Sequence, residues 1–173
     1  MNAPTVSPKP RLKNPAALVP EAMAPLQTLG QLLGQLRGPP LRALGLAMLR
    51  ASQLNGCALC LSGSCYQLKA AGETDERILA VSVWQESPRF TAAERAALAL
   101  SESMTRLSDR LDPVPDPIWD EAARHYDERE LAHLVLGIAT INLYNRINVT
   151  TRQVAEDWSP EARSTEASKG TPA

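Results

Sequence analysis

Cys57-Ala58-Leu59-Cys60 sets two thiols three residues apart, directly after an Asn55-Gly56 turn signal. On a helix that spacing puts both side chains on one face, so the sulfurs come within disulfide reach without large backbone distortion. If Cys57 stands in the first helical turn, the unpaired amides and the helix dipole stabilise a thiolate, the species that attacks a peroxide or a disulfide. In such a pair one sulfur takes up the oxidant's oxygen as a sulfenic acid. The other displaces water to make a disulfide, which a reductant must reopen. From the residues alone, exposure decides which cysteine attacks. Two other readings compete: buried cysteines acting as small apolar side chains, and a zinc site drawing on Cys57, Cys60, Cys65 and one histidine. The zinc set has no second C-x-x-C and no paired histidines at ligand spacing, so no metal is expected.

The elements that must position this pair read as helices throughout. Apolar residues recur at spacings of three and four, and no segment alternates as a strand would. Leu26, Leu29, Leu32, Leu33 and Leu36 form one stripe, ended by Gly38-Pro39-Pro40. Leu41, Leu44, Met48 and Leu49 begin a second stripe, and the two helices are expected to pair antiparallel. Thr91 with Glu94, and Asp127 with Glu130, have capping-box spacing, while Asp116-Pro117 offers a cap followed by proline in the first turn. The pattern predicts helices over 24–37, 40–54, 57–71, 74–86, 91–108, 116–125 and 128–152. The expected organisation is a flexible segment over 1–20, one all-α domain over 21–155 and a flexible tail over 156–173, whose Ser, Thr, Glu and Pro content suits no packed element.

Composition narrows the function. A net charge of -1 with scattered Lys and Arg provides no basic stripe, which argues against nucleic acid. No apolar run approaches the ~20 residues that span a bilayer, and the first residues show no signal-peptide segment. Three cysteines, two of them close together, suit a reducing compartment better than a secreted disulfide framework, so a cytoplasmic protein is expected.

The cysteine segment with Leu49-Arg50-Ala51-Ser52-Gln53-Leu54-Asn55-Gly56 before it and Lys69-Ala70-Ala71-Gly72-Glu73-Thr74 after it resembles the AhpD-like alkylhydroperoxidase and carboxymuconolactone decarboxylase superfamily. The resemblance runs from about Pro40 to Arg152. It takes in the stretch from Ala80 to Ser87, the helix start from Phe90 to Ala99, and Ile138-Ala139-Thr140-Ile141-Asn142-Leu143-Tyr144-Asn145-Arg146. It implies an all-helical homo-oligomer that reduces hydroperoxides through the cysteine pair, with Cys60 attacking and Cys57 resolving. A thiol or dithiol donor, or a redox partner protein, would supply the electrons, and no bound cofactor is implied.

Two positions depart from the family's pattern. The histidine usual four residues beyond the second cysteine is Ser64, and the glutamate usual twelve residues before the first is Gly45. Serine can hydrogen-bond a thiolate but holds no proton to exchange near neutral pH, and losing one general acid or base typically costs ~10²- to 10⁴-fold. The alternative function is therefore a family member without catalysis, acting as an oligomeric binding or regulatory protein. A lyase acting on a small lactone acid, implied by the superfamily's name, gives the thiols no role. His125 and His133 are the only histidines that a fold could bring to the pair in place of the relay, and each reads more simply as a surface or helix-end residue. Cys65, about 80° around an ideal helix from Cys57, reads as core-facing. Trp84, Trp119 and Tyr144 read as packing residues, Glu94 and Glu130 as caps, and Arg106 to Arg110 as a solvated face.

Overall fold

The computed structural model describes residues 9–33 and 38–155. Among them the chain forms helices α1 (Pro15–Leu18), α2 (Pro20–Leu33), α3 (Gly38–Leu54), α4 (Ala58–Ala70), α5 (Asp75–Ala80), α6 (Ala92–Thr105), α7 (Asp116–His125) and α8 (Glu128–Thr151). Short 3₁₀ turns occupy Val81–Val83 and Leu107–Asp109, and the described residues include no strand. None of these helices is long and apolar enough to cross a membrane.

The fold is organised around α3, most of whose leucines and alanines are buried. Ala43, Leu44, Leu46, Ala47, Leu49 and Ala51 are all buried. Leu46 and Leu49 join Leu68, Trp84, Phe90 and Leu98 in one cluster, while Leu44 and Ala47 join Leu100, Leu134 and Ile138 in another. Ala51, further along, meets Cys57, Leu59, Cys60 and Ile141. Each fully buried leucine contributes roughly 1.5–3 kcal/mol of apolar burial, so a single helix anchors α4, α6 and α8. The contact with α8 is close: a Cβ added at Gly137 would collide with Leu44 Cδ1 and lie 3.2 Å from Cδ2.

Caps fix the helix starts. The Thr91 side chain accepts the Glu94 amide while Glu94 accepts the Thr91 amide, and Asp127 and Glu130 do the same for α8. At α7 the cap position falls on Pro115, one residue before the expected Asp116. The helix expected over 74–86 is broken: α5 runs six residues and then tightens into the turn at Val81–Val83. Beyond that turn Arg95 donates to the carbonyls of Trp84, Gln85 and Ser87, satisfying acceptors that have no helical partner. The helix expected over 91–108 likewise ends at Thr105, before the Leu107–Asp109 turn.

α2 begins at Pro20, earlier than expected, and leans on α1 and α8 rather than pairing mainly with α3, whose sides are filled by α4, α6 and α8. Its attachment includes the Tyr144 hydroxyl, which donates to Leu26 O at 2.9 Å. Within the segment before residue 21, Asn14 caps α1, Arg11 N donates to Thr151 O and Gln153 Nε2 donates to Leu12 O. The remainder of the two ends, 1–8 and 156–173, lies outside the described residues.

Candidate functional site

The cysteines sit at a corner with no loop. α3 ends in a glycine-terminated motif: Gly56 takes φ +65°, Cys57 N donates to Ser52 O at 3.1 Å and Gly56 N donates to Gln53 O at 3.2 Å. Cys57 then serves as the N-cap of α4, in extended conformation, with its Sγ accepting the Cys60 amide at 3.3 Å. A sulfur in that place takes the role a serine or aspartate oxygen usually fills. It also lies at the positive end of the α4 dipole, which favours a thiolate. Cys57 and Cys60 are joined as a disulfide, with 5.3 Å between their Cα atoms.

The pair is shielded but not sealed, at 2% exposure for Cys57 and 6% for Cys60. Ala51 and Met48 of α3 and Ile141 and Tyr144 of α8 pack around it. From α8, Asn148 Nδ2 donates to Cys60 Sγ at 3.3 Å. A buried amide network secures the same corner: Asn55 Nδ2 lies 2.8 Å from both Asn142 Oδ1 and Asn145 Oδ1, and Asn145 Nδ2 donates to Ser52 Oγ at 3.2 Å. Asn142 Nδ2 reaches Thr105 Oγ1 and Ile138 O. With their polar groups paired, these buried side chains fix how the end of α3 meets α8.

Ser64 is buried one turn beyond Cys60, so the substituted position does face inward. Gly45 is not simply an empty place: a Cβ there would lie 2.8 Å from Leu68 Cδ2, so Leu68 of α4 takes up room beside the position where the family's glutamate would begin. The histidines bond elsewhere. His125 Nε2 is 3.2 Å from Glu121 Oε1, and His133 Nδ1 is 2.7 Å from Arg129 O. His133 lies about 22 Å along α8 from Asn148 at 1.5 Å per residue. Of the three aromatic residues read as packing, Tyr144 lies at the pair, whereas Trp84 donates to Glu102 and Trp119 is exposed on α7. Cys65 is free and packs beside the Leu46–Leu68 cluster, where burial pushes its thiol pKa up. Among the described residues no group of three or more His, Cys, Asp or Glu is arranged to hold a metal.

A second polar cluster is structural. Arg77 bridges Glu73 at 2.8 Å and Glu94 at 2.6 Å, donates to Arg89 O, and stacks over Phe90. Glu94 is thus both a cap and an ion-pair partner, while Glu73 Oε2 is buried without a hydrogen-bond partner. Glu130, the other capping carboxylate, stays at the start of α8. Sequence reading missed Asn148 and the amide network. Their signal was present in the spacing of Asn142, Asn145 and Asn148 along a helix otherwise apolar enough to be core.

Taken together, the described residues form an all-helical bundle carrying a bonded C-x-x-C pair at a helix N-terminus. The profile of the Carboxymuconolactone decarboxylase family matches residues 20–103. An uncharacterized Bacillus subtilis protein, YdfG, is 38% identical over 104 residues, covering 60% of this chain and 69% of YdfG. The uncharacterized Escherichia coli protein YnjA is 29% identical over 99 residues, covering 57% of this chain and 53% of YnjA. Among solved structures, ATU0492 of Agrobacterium tumefaciens superposes with a TM-score of 0.77 at 31% identity, covering 84% of this chain and 97% of that one. It is a protein of unknown function suggested to be the antioxidant defence protein AhpD. The debrominase Bmp8 shares the fold, with a TM-score of 0.72 at 20% identity over 88% of this chain and 78% of its own. The chain belongs to the AhpD-like carboxymuconolactone decarboxylase superfamily.

Proposed function

We propose that this protein reduces hydroperoxides through Cys57 and Cys60 at the expense of an external thiol or dithiol donor. The observation that carries the reading is the bonded pair at the start of α4, with Cys57 Sγ on the Cys60 amide. In the proposed cycle the Cys60 thiolate attacks the terminal peroxide oxygen. The O–O bond breaks, the alkoxide takes a proton and leaves as the alcohol, and Cys60 becomes a sulfenic acid. The Cys57 thiolate then attacks the Cys60 sulfur, hydroxide leaves and is protonated to water, and the disulfide forms.

A donor thiolate reopens the disulfide by attack on Cys60, expelling Cys57 as a thiolate. The amide that Cys57 already accepts makes it the better leaving group. The donor's second thiol then attacks the mixed disulfide, releasing Cys60 and carrying away the oxidised donor. Two electrons pass from donor to peroxide in each cycle, and none of these steps calls on a metal or bound cofactor. Reloading of this kind suits a reducing compartment such as the cytoplasm.

The protein is also read as a homo-oligomer. Supporting this are Leu136 and Leu143, 52% and 40% exposed, which lie about two turns apart on α8, with Ala132 and Ala139 exposed on the same face. A mass measurement in solution tests it: a monomer at micromolar concentration overturns it, and Leu136→Glu should lower the mass of an assembly built on this face.

The second reading, an oligomeric protein without turnover, draws on Gly45 with Leu68 beside it and on Ser64 in place of the usual histidine. Consumption of an organic hydroperoxide by wild type and Cys60→Ser, with a dithiol donor, separates the two. Turnover lost in the variant supports the peroxidase. Equal background rates, with thiol content unchanged after exposure, overturn it.

A further inference from the structure

We infer that Asn148 is a catalytic residue of the thiol reaction, its side-chain amide donating to Cys60 Sγ and holding that sulfur as a thiolate where the family's pattern uses a proton relay. The inference rests on the proposed attack by Cys60. Three asparagines follow one another at three-residue spacing on α8, and their tasks differ. Asn142 is engaged with Asn55, Thr105 and Ile138, and Asn145 with Asn55 and Ser52. Asn148 turns its Nδ2 to sulfur, at 3.3 Å. Asparagine lies 88 residues from Cys60 in the chain, so only the packing of α4 on α8 creates the contact.

An amide donor acts differently from a histidine. It exchanges no proton, keeps one charge state across the working pH range, and favours a charged acceptor over a neutral one. Around the pair, α3 supplies Met48 and Ala51, and α8 supplies Ile141 and Tyr144. Tyr144 is the titratable group among these, and its hydroxyl is turned to Leu26 O on α2. Arg50, Lys69 and Arg146, cations on the same three helices, are turned to Glu102, Asp75 and Asn142. The Cys60 sulfur thus has a fixed dipole beside it from Asn148.

The test is alkylation by iodoacetamide as a function of pH, using the full chain in a Cys57→Ser, Cys65→Ser background that leaves Cys60 as the single thiol. Serine at position 57 keeps a capping oxygen on α4. Asn148→Ala should raise the alkylation midpoint by about 1 pH unit and slow labelling at neutral pH about tenfold, the worth of one hydrogen bond to a charged acceptor. Asn148→Asp, nearly the same size, replaces the donor with a negative acceptor and should raise the midpoint further. Midpoints unchanged in both variants, with helical content and melting temperature intact, overturn the inference. So does a rise in the alanine variant that the aspartate variant does not share, because that result assigns the effect to packing. If Asn148→Ala fails to fold, the aspartate variant carries the test alone. The readout needs no peroxide, so failure of the proposed peroxidase cycle and failure of the role of Asn148 are separate results.

Discussion

Leu68 Cδ2 lies 2.8 Å from the point where a side chain on Gly45 would begin, so α4 and α3 close on each other at the position where the family resemblance leads one to expect a glutamate. Restoring that glutamate is therefore an overpacking substitution as well as a chemical one. Gly45→Glu should destabilise the fold by about 1–3 kcal/mol. Combined with Leu68→Ala, it should cost less than the two single changes added together, because the same space is contested. Urea denaturation of the four proteins in the cycle checks this, and strict additivity would count against the contact.

Gly56 is held at φ +65° with nothing within 4 Å of an added Cβ, so its requirement is conformational and not steric crowding. Gly56→Ala should cost about 1–2 kcal/mol, the penalty of a left-handed alanine. Because the same turn delivers Cys57 to the cap of α4, the variant should also form its disulfide at an altered potential. Equilibration against a glutathione redox series, read by thiol labelling, measures that change.

Arg77 answers two buried carboxylates at once. Arg77→Ala would leave Glu73 and Glu94 facing each other without a cation, and the loss should be about 3 kcal/mol, the low end for a broken buried pair because the guanidinium keeps some solvent contact. Thermal unfolding followed by circular dichroism would show it, and a loss under about 1 kcal/mol would mean that water replaces the arginine.

Burial raises the pKa of Cys65, an effect only partly offset by Lys69. A raised thiol pKa means the neutral form persists to higher pH, so labelling of Cys65 should stay slow at pH 8 and accelerate only in more alkaline buffer. Mass spectrometry of reduced protein after timed alkylation checks the order, with Cys57 or Cys60 expected to label first. Fast labelling of Cys65 at neutral pH would contradict its packing beside the Leu46–Leu68 cluster.

Much of this was legible in the chain because the signals were local. The capping pairs Thr91 with Glu94 and Asp127 with Glu130 mark helix starts by side chains three residues apart, and both operate as the spacing suggests. The cysteine pair was legible for the same reason. The path of the chain after α5 was not, because the carbonyls of Trp84, Gln85 and Ser87 are held by Arg95, from the next helix. Asn148 escaped for a related cause: its meaning comes from the fold that brings α8 across the start of α4. The substitutions at Gly45 and Ser64 were visible as missing chemistry, but only packing reveals that Leu68 crowds the first of them.

The junction between α3 and α4 contains no spare residue, since Cys57 N closes the end of one helix while Cys57 Sγ caps the next. Insertion of even one residue between Ser52 and Cys57 would hand the closing amide to a different amino acid, and one between Cys57 and Cys60 would move the Cys60 amide away from the sulfur. Length changes tolerated by this architecture should therefore collect in its other connections, such as the Arg106–Pro115 crossing before α7, while the spacing across the corner stays fixed.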